Sequence, residues 1–246
     1  MKGLEVPVPE PGEAGHAPWL SIVVPVLNEA RRIELALANC GALRQRGAEV
    51  IVVDGGSEDD TVMRAGPSCD RIVLAPRGRA RQLNAGARAA RGEALVFLHA
   101  DTALPPDADA AIFRSLDAGG FVWGRFDVRI EGTSAWFPVI GRAMNLRSRW
   151  TGIATGDQAM FCLRRAFDEA GGFPEIDLME DIELSARLLR LGRPACLRQT
   201  VTTSGRRWAR QGILRTMLLM WAMRLGHFFG VPARMLGRIY RAGTTE

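Results

Sequence analysis

The chain has 246 residues, 47% of them hydrophobic, enough to bury a sizeable core in one large α/β domain or a domain with an appendage. The formal net charge is +5, and nearly all the positive charge is Arg, since Lys2 is the only lysine. Cys40, Cys69, Cys162 and Cys196 show no C-x-x-C spacing, which argues against a zinc site or a disulfide framework and points to buried thiols in a reducing, cytoplasmic compartment.

Met1–Pro18 is rich in Pro, Gly and Glu and has no apolar core, so a disordered tail is expected there and not a signal peptide. Trp19–Leu27 (WLSIVVPVL) predicts a first buried strand, followed by Asn28-Glu29 and an amphipathic helix to about Arg46. The next stretch, Ala48–Thr61 (AEVIVVDGGSEDDT), organises the rest. Its Ile/Val run suits a strand buried on both faces of a parallel sheet. The run stops at Asp54, Gly55-Gly56 permit a tight turn, and Ser57 with the acids behind it opens a helix. A carboxylate at such a strand tip faces the crevice where open α/β sheets bind ligands. An ordinary capped strand–turn–helix junction accounts for the same residues.

Arg71–Ala75 predicts a third strand, Arg79–Arg91 an Arg- and Ala-rich helix, and Ala94–Leu98 a fourth strand ending in His99-Ala100-Asp101. A helix then runs from Pro105-Pro106 to about Asp117. Four strands alternating with helices argue for a doubly wound, mostly parallel sheet. The alternation breaks after residue 118: Gly119–Ile130 is strand-like, Trp136–Trp150 helical, Ala159–Leu163 a strand, and Leu178–Leu191 a helix with one apolar stripe.

From Leu184 to Thr245 there are twelve Arg and no Asp or Glu, which points to an anionic partner: phosphates, an acidic lipid surface or nucleic acid. No nucleic-acid recognition motif accompanies the charge, so no nucleic-acid partner is expected. Residues 213–231 contain the run Met217–Met223, which is too short to span a bilayer, and Arg215, Arg224 and His227 fall inside the wider stretch. Packing on the domain is favoured over lying in a membrane interface with peripheral association. The expected organisation is a tail over 1–18, one catalytic domain over 19–205 and a helical appendage over 206–246.

The segments SIVVPVLNE, VVDGGSEDDT, RARQLNAG, FLHADT, GGF and MEDIELSARLLRLG occur in that order. On them the chain resembles glycosyltransferase family 2, the inverting transferases of the GT-A fold, over about Ser21–Gly192. A short bacterial subgroup proposed for arsenosugar biosynthesis is similar in FLHADT and the late RRW. The resemblance implies a nucleotide-diphospho-sugar donor, UDP-linked in the first instance, and an acceptor hydroxyl of unspecified nature. Pro25, Asn28 and Glu29 match the first nucleotide loop. Asp54, with Gly56 and Ser57, matches the acid that holds uracil or ribose, and Arg81 and Asn84 match the segment over the nucleotide. Independently, an Arg there suits a diphosphate through its planar fork.

His99-Ala100-Asp101 stands where the family carries Asp-x-Asp, with His in place of the first acid. The resemblance implies Mg²⁺ or Mn²⁺ at Asp101. His99 is open between a metal ligand, a donor to phosphate and a packed residue. Glu180-Asp181 matches the family's Glu-Asp pair, whose Asp is the general base; a helix-start acid complementing the dipole is the structural alternative. Arg206-Arg207-Trp208 is similar to an element that lies against acceptor and diphosphate in processive members. Gly156, Asp157 and Gln158 either bind an acceptor hydroxyl or cap a turn. Trp123, Trp136 and Trp150 suit stacking on a sugar, with core packing as the default. The alternatives are a nucleotidyltransferase on the same fold, and a non-catalytic scaffold that binds nucleotide sugars or a membrane.

Overall fold

The computed structural model describes residues 17–243; most of the expected N-terminal tail, residues 1–16, lies outside the described residues. Four strands build the first half: β1 (Leu20–Val26), β2 (Glu49–Asp54), β3 (Arg71–Leu74) and β4 (Ala94–Phe97). All six residues of β2 are buried, as its continuous apolar run predicts. Four more follow: β5 (Thr102–Ala103), β6 (Trp123–Glu131), β7 (Phe161–Leu163) and β8 (Ala195–Ser204). They join one sheet in the order β3-β2-β1-β4-β7-β6-β8-β5. β1 to β4 pair in parallel, as do β6 and β8, while β7 and β5 run against their neighbours. The result is the expected α/β sheet, mostly parallel, with two antiparallel insertions.

Helices cover the sheet: α1 (Ile33–Ala38), α2 (Gly41–Gln45), α3 (Thr61–Ala65), α4 (Arg79–Ala89), α5 (Ala108–Phe113), α6 (Phe137–Thr151), α7 (Arg164–Glu169) and α8 (Glu180–Leu191). The single helix expected up to Arg46 is two. The chain breaks at Asn39-Cys40, where Gly41 is a weak helix former, and the bend buries Leu37, Cys40 and Leu43 together. β5 was not expected, because it has two residues and exists only through pairing with β8.

A buried polar cluster fixes α6 on the sheet. Arg125 of β6 is fully buried and pairs with Asp127, which also accepts from Arg149 at 2.6 Å. The Asn145 side chain brackets residue 128, accepting from its N–H at 2.9 Å and donating to its carbonyl at 3.1 Å. Losing one partner would strand a buried charge, so the cluster holds one orientation of α6.

The chain ends in α9 (Arg206–Gln211), α10 (Ile213–Phe228) and α11 (Ala233–Gly243). Trp208, Ile213 and Met217 pack on Ile130, Phe137 and Ile140. Met223 of α10 and Leu236 of α11 are buried with Met179, immediately before α8. These helices therefore pack on the domain. Among the described residues, no helix is long and apolar enough to cross a membrane.

Candidate active site

A cleft of about 720 Å³ opens at the C-terminal ends of β1 and β4. The end of β1 brings Pro25 and Val26 to it, the loop after β1 brings Leu27 and Glu29, and the loop after β4 brings His99, Ala100 and Asp101. Arg79 and Gln82 face it from α4, Gly156 and Asp157 from the turn before β7, and Glu180 and Asp181 from the start of α8. The other wall comes from α6, α10 and Tyr240 of α11.

Asp181 is held at both carboxylate oxygens. Oδ2 accepts the Gly156 N–H at 2.8 Å, and Oδ1 accepts the Ile182 N–H at 2.8 Å. Each oxygen keeps a further lone pair for a proton. Gly156 suits this contact because it has no side chain. A Cβ there would fall 2.4 Å from His99 Nε2 and 3.7 Å from Asp181 Oδ2. His99 Nδ1 lies 3.4 Å from Asp157 Oδ1.

Glu180 is buried, and its Oε1 lies 3.3 Å from Nη1 of Arg79. Burial raises its carboxyl above the ordinary value; Arg79 opposes that and the neighbouring Asp181 adds to it. Burial also raises Glu29, Arg32 pulls it back, and the Asp101 charge pushes it further up. The residue ahead of this pair, Met179, has φ +70°, in the left-handed region that a bulky residue avoids. Such a conformation costs about 1–3 kcal/mol and persists where packing over-determines it. Burial against Met223 and Leu236 supplies that packing.

With this geometry established, comparison with known proteins is decisive. Residues 21–172 match the model of Glycosyl transferase family 2. The chain belongs to glycosyltransferase family 2. No curated protein matches it significantly. Among solved structures, glucosyl-3-phosphoglycerate synthase from Mycobacterium tuberculosis, bound to Mn²⁺, UDP and glucosyl-3-phosphoglycerate, is similar at TM-score 0.54 and 23% identity, over 77% of this chain and 71% of that one. The mannosyltransferase PcManGT from Pyrobaculum calidifontis, in complex with GDP-Man and Mn²⁺, gives TM-score 0.57 and 22% identity over 97% of this chain and 78% of that one. S. aureus TarS 1-349 with UDP-GlcNAc gives 0.58 and 18%, over 75% of this chain and 58% of that one. At these identities the likeness concerns the fold, which is that of the GT-A glycosyltransferases.

In this glycosyltransferase the two loops expected to hold a nucleotide are laced together. The Asn28 N–H donates to Ser57 Oγ at 2.9 Å, Asn28 Oδ1 accepts from the Glu58 N–H at 2.9 Å, and the Glu29 N–H donates to Thr61 Oγ1 at 2.7 Å. Asn28 itself has φ +54°. Asp54 is buried and caps its own turn, accepting from the N–H groups of Gly56 at 2.9 Å and Ser57 at 3.0 Å. It does not line the cleft, whereas Asp101 does. Arg81 pairs with Glu175 at 3.2 Å, and the Asn84 amide clamps Phe173 through bonds of 2.8 and 2.9 Å. Neither Arg81 nor Asn84 lines the cleft; Arg79 and Gln82 of the same helix do, with Gln82 donating to the carbonyls of Val26 and Val53 at the tips of β1 and β2. Ala80, Leu83 and Ala87 pack on the sheet, but that apolar period does not separate Arg79 and Gln82 from Arg81 and Asn84; the bonds of Gln82 to the two strand tips do.

Gln158 is buried and donates to Ser148 of α6 at 3.0 Å, away from the cleft that Gly156 and Asp157 line. Arg206 is exposed and bonds to Ser204, Trp208 lines the cleft, and the Arg207 side chain lies outside the described residues. Trp136 and Trp150 line the cleft, whereas Trp123 is core. Among the described residues, no group of three or more His, Cys, Asp or Glu is placed to hold a metal alone. Asp101 offers a carboxylate that fits a hard ion completed by phosphate oxygens and water, and the His99 imidazole is a softer donor that would favour Mn²⁺ over Mg²⁺.

Proposed function

We propose that this chain is an inverting glycosyltransferase that moves a sugar from a nucleotide-diphospho-sugar, UDP-linked in the first instance, to an acceptor hydroxyl, with Asp181 as general base. The observation that carries this reading is the fixation of Asp181 in the cleft by the Gly156 N–H, 2.8 Å from Oδ2. A base must be aimed before the substrate arrives, and a backbone donor aims it without a mobile side chain. Family membership and the nucleotide-sugar complexes of the similar structures support the donor class.

The donor's nucleotide would lie along the laced loops of β1 and β2, with Pro25, Glu29 and Ala100 beneath it. The acceptor oxygen attacks the anomeric carbon from the face opposite the diphosphate. Its proton passes to Asp181, the bond from the anomeric carbon to the diphosphate oxygen breaks, and nucleoside diphosphate leaves. Arg79, on the cleft wall, offsets charge on that leaving group and keeps Glu180 in place. Asp101, with His99 beside it, would hold a Mg²⁺ or Mn²⁺ ion, which when bound neutralises diphosphate charge.

The test is a thermal-shift screen of UDP- and GDP-sugars with and without Mn²⁺, followed by product analysis. A rise in melting temperature that needs the ion, and release of nucleoside diphosphate, are expected. Release of pyrophosphate would move the assignment to a nucleotidyltransferase. Tight donor binding without transfer to any acceptor would leave a binding scaffold.

A further inference from the structure

The cleft is two-sided in chemistry. Its donor end carries carboxylates, Arg79, His99 and backbone groups, while the opposite wall is almost wholly hydrocarbon and indole. At the start of α6 that wall presents Trp136, and along α6 Leu146 and Trp150, exposed by 59%, 48% and 74%; on α10 it presents Met220 and Trp221, the latter 69% exposed. Large apolar side chains left to water around a cleft mark a binding surface.

Two arginines interrupt this wall. Nε and Nη2 of Arg147 and Nε of Arg224 are buried without a hydrogen-bond partner, and both residues line the cleft. Buried donors left unmet are costly, and a ligand bringing anionic oxygens removes that cost. Arg147 also senses the Asp181 charge, and Arg147, Arg224 and Asp181 all line the one cleft. The segment from Leu184 to Thr245, which supplies α10, contains no acid to compete with an anion for Arg224.

We propose that the acceptor is an amphiphile: an anionic head bonded by Arg147 and Arg224, and a hydrocarbon chain lying between α6 and α10, with its hydroxyl beside Asp181. This rests on the reading of the cleft as a transferase site and names its acceptor class. Charge complementarity selects the head, and the apolar stretches of wall on either side of the two arginines select the chain. A free sugar or a small polar metabolite would leave that wall in water. A peptide would bring backbone N–H groups for which the wall's arginines, being donors only, offer no acceptor.

Calorimetric titration of the full chain with dodecyl phosphate below its micelle concentration tests this, with inorganic phosphate and dodecanol as the separate halves and UDP with Mn²⁺ as the donor probe. One-to-one binding of dodecyl phosphate is expected, with each half weaker by about tenfold or more. Arg147→Gln should weaken dodecyl phosphate by about tenfold or more while UDP affinity holds. Trp221→Glu, at an exposed position that leaves the core intact, should weaken it too. Dodecyl phosphate binding equally well to both variants, or no better than inorganic phosphate, would overturn the proposal. UDP binding with no dodecyl phosphate binding would overturn the acceptor class and leave the donor reading standing. Dodecyl phosphate binding without UDP would remove the transferase reading and this one with it. Sedimentation with phosphatidylglycerol vesicles without one-to-one binding would replace the acceptor site by docking on a bilayer.

Discussion

Arg79 of α4 reaches Glu180 of α8 with Nη1 3.3 Å from Oε1, joining two helices 101 residues apart in sequence across one side of the cleft. Glu180 is nonetheless a carboxyl pushed above its ordinary value of 4.5 by burial. A raised carboxyl stabilises the folded state below the unfolded value, and that stability is lost as pH rises through the folded one. Glu180→Gln mimics the protonated form and escapes the loss. Its melting temperature relative to the parent should rise from about pH 4 to about pH 8, each unit of raised pKa corresponding to about 1.4 kcal/mol. A variant less stable than the parent throughout would show that the Arg79 contact outweighs burial.

Asp181→Asn should lower transfer on the order of 10²–10⁴-fold while donor affinity is kept. The structure adds a stability cost. Both Asp181 oxygens accept backbone N–H groups, and an amide turns one acceptor into a donor. A loss of about 1–2 kcal/mol is expected by denaturant titration. Turnover equal to the parent's would remove Asp181 from the base role.

Glu49 tests the back of the sheet. Its side chain is 2% exposed, and Oε1 lies 2.9 Å from Nε of Arg91. Ser21 and the Arg91 N–H bond to Oε2 at 2.7 and 2.9 Å. Burial alone would raise this carboxyl, but the bonds from the Arg91 N–H, Ser21 and the guanidinium outweigh it, and the value lies below 4.5. The stabilisation is therefore complete above that value and fades as pH falls through the lower folded one. Glu49→Gln should cost about 1.5–3 kcal/mol near neutral pH, and the gap should close toward pH 3. Chemical denaturation at both ends of the range measures it; a constant gap would contradict the ion-pair account.

Gly86 opposes two rules. Helix propensity predicts that Gly86→Ala stabilises α4 by about 1 kcal/mol. Packing predicts the reverse, because the new Cβ would lie 2.3 Å from Val23 Cγ1 and 2.8 Å from Val53 Cγ2. Overpacking typically costs about 1–3 kcal/mol, so a lower melting temperature is expected. A higher one would mean that α4 lifts from the sheet at little cost.

The sequence by itself determined the parallel half of the fold. The runs in β1, β2 and β4 are short, rich in aliphatic residues and bounded by turn residues, the pattern of strands buried on both faces. Ordered motifs pointed to the family, and strand ends put Asp54 and Asp101 in one crevice, of which Asp101 lines the cleft and Asp54 does not. The tertiary structure alone decided which side of α4 faces the cleft, because helix rotation follows from packing Ala80, Leu83 and Gly86 on the sheet. Arg79 and Gln82 thereby enter the cleft, and Arg81 and Asn84 do not. It also decided that Asp54 closes its own turn and that Gln158 bonds to α6. Arg147 and the apolar wall of α6 and α10 carry no local motif, since their meaning lies in contacts between segments some seventy residues apart. Local patterns encode periodicity and strand ends; the register of distant elements is encoded only in the packing that brings them together.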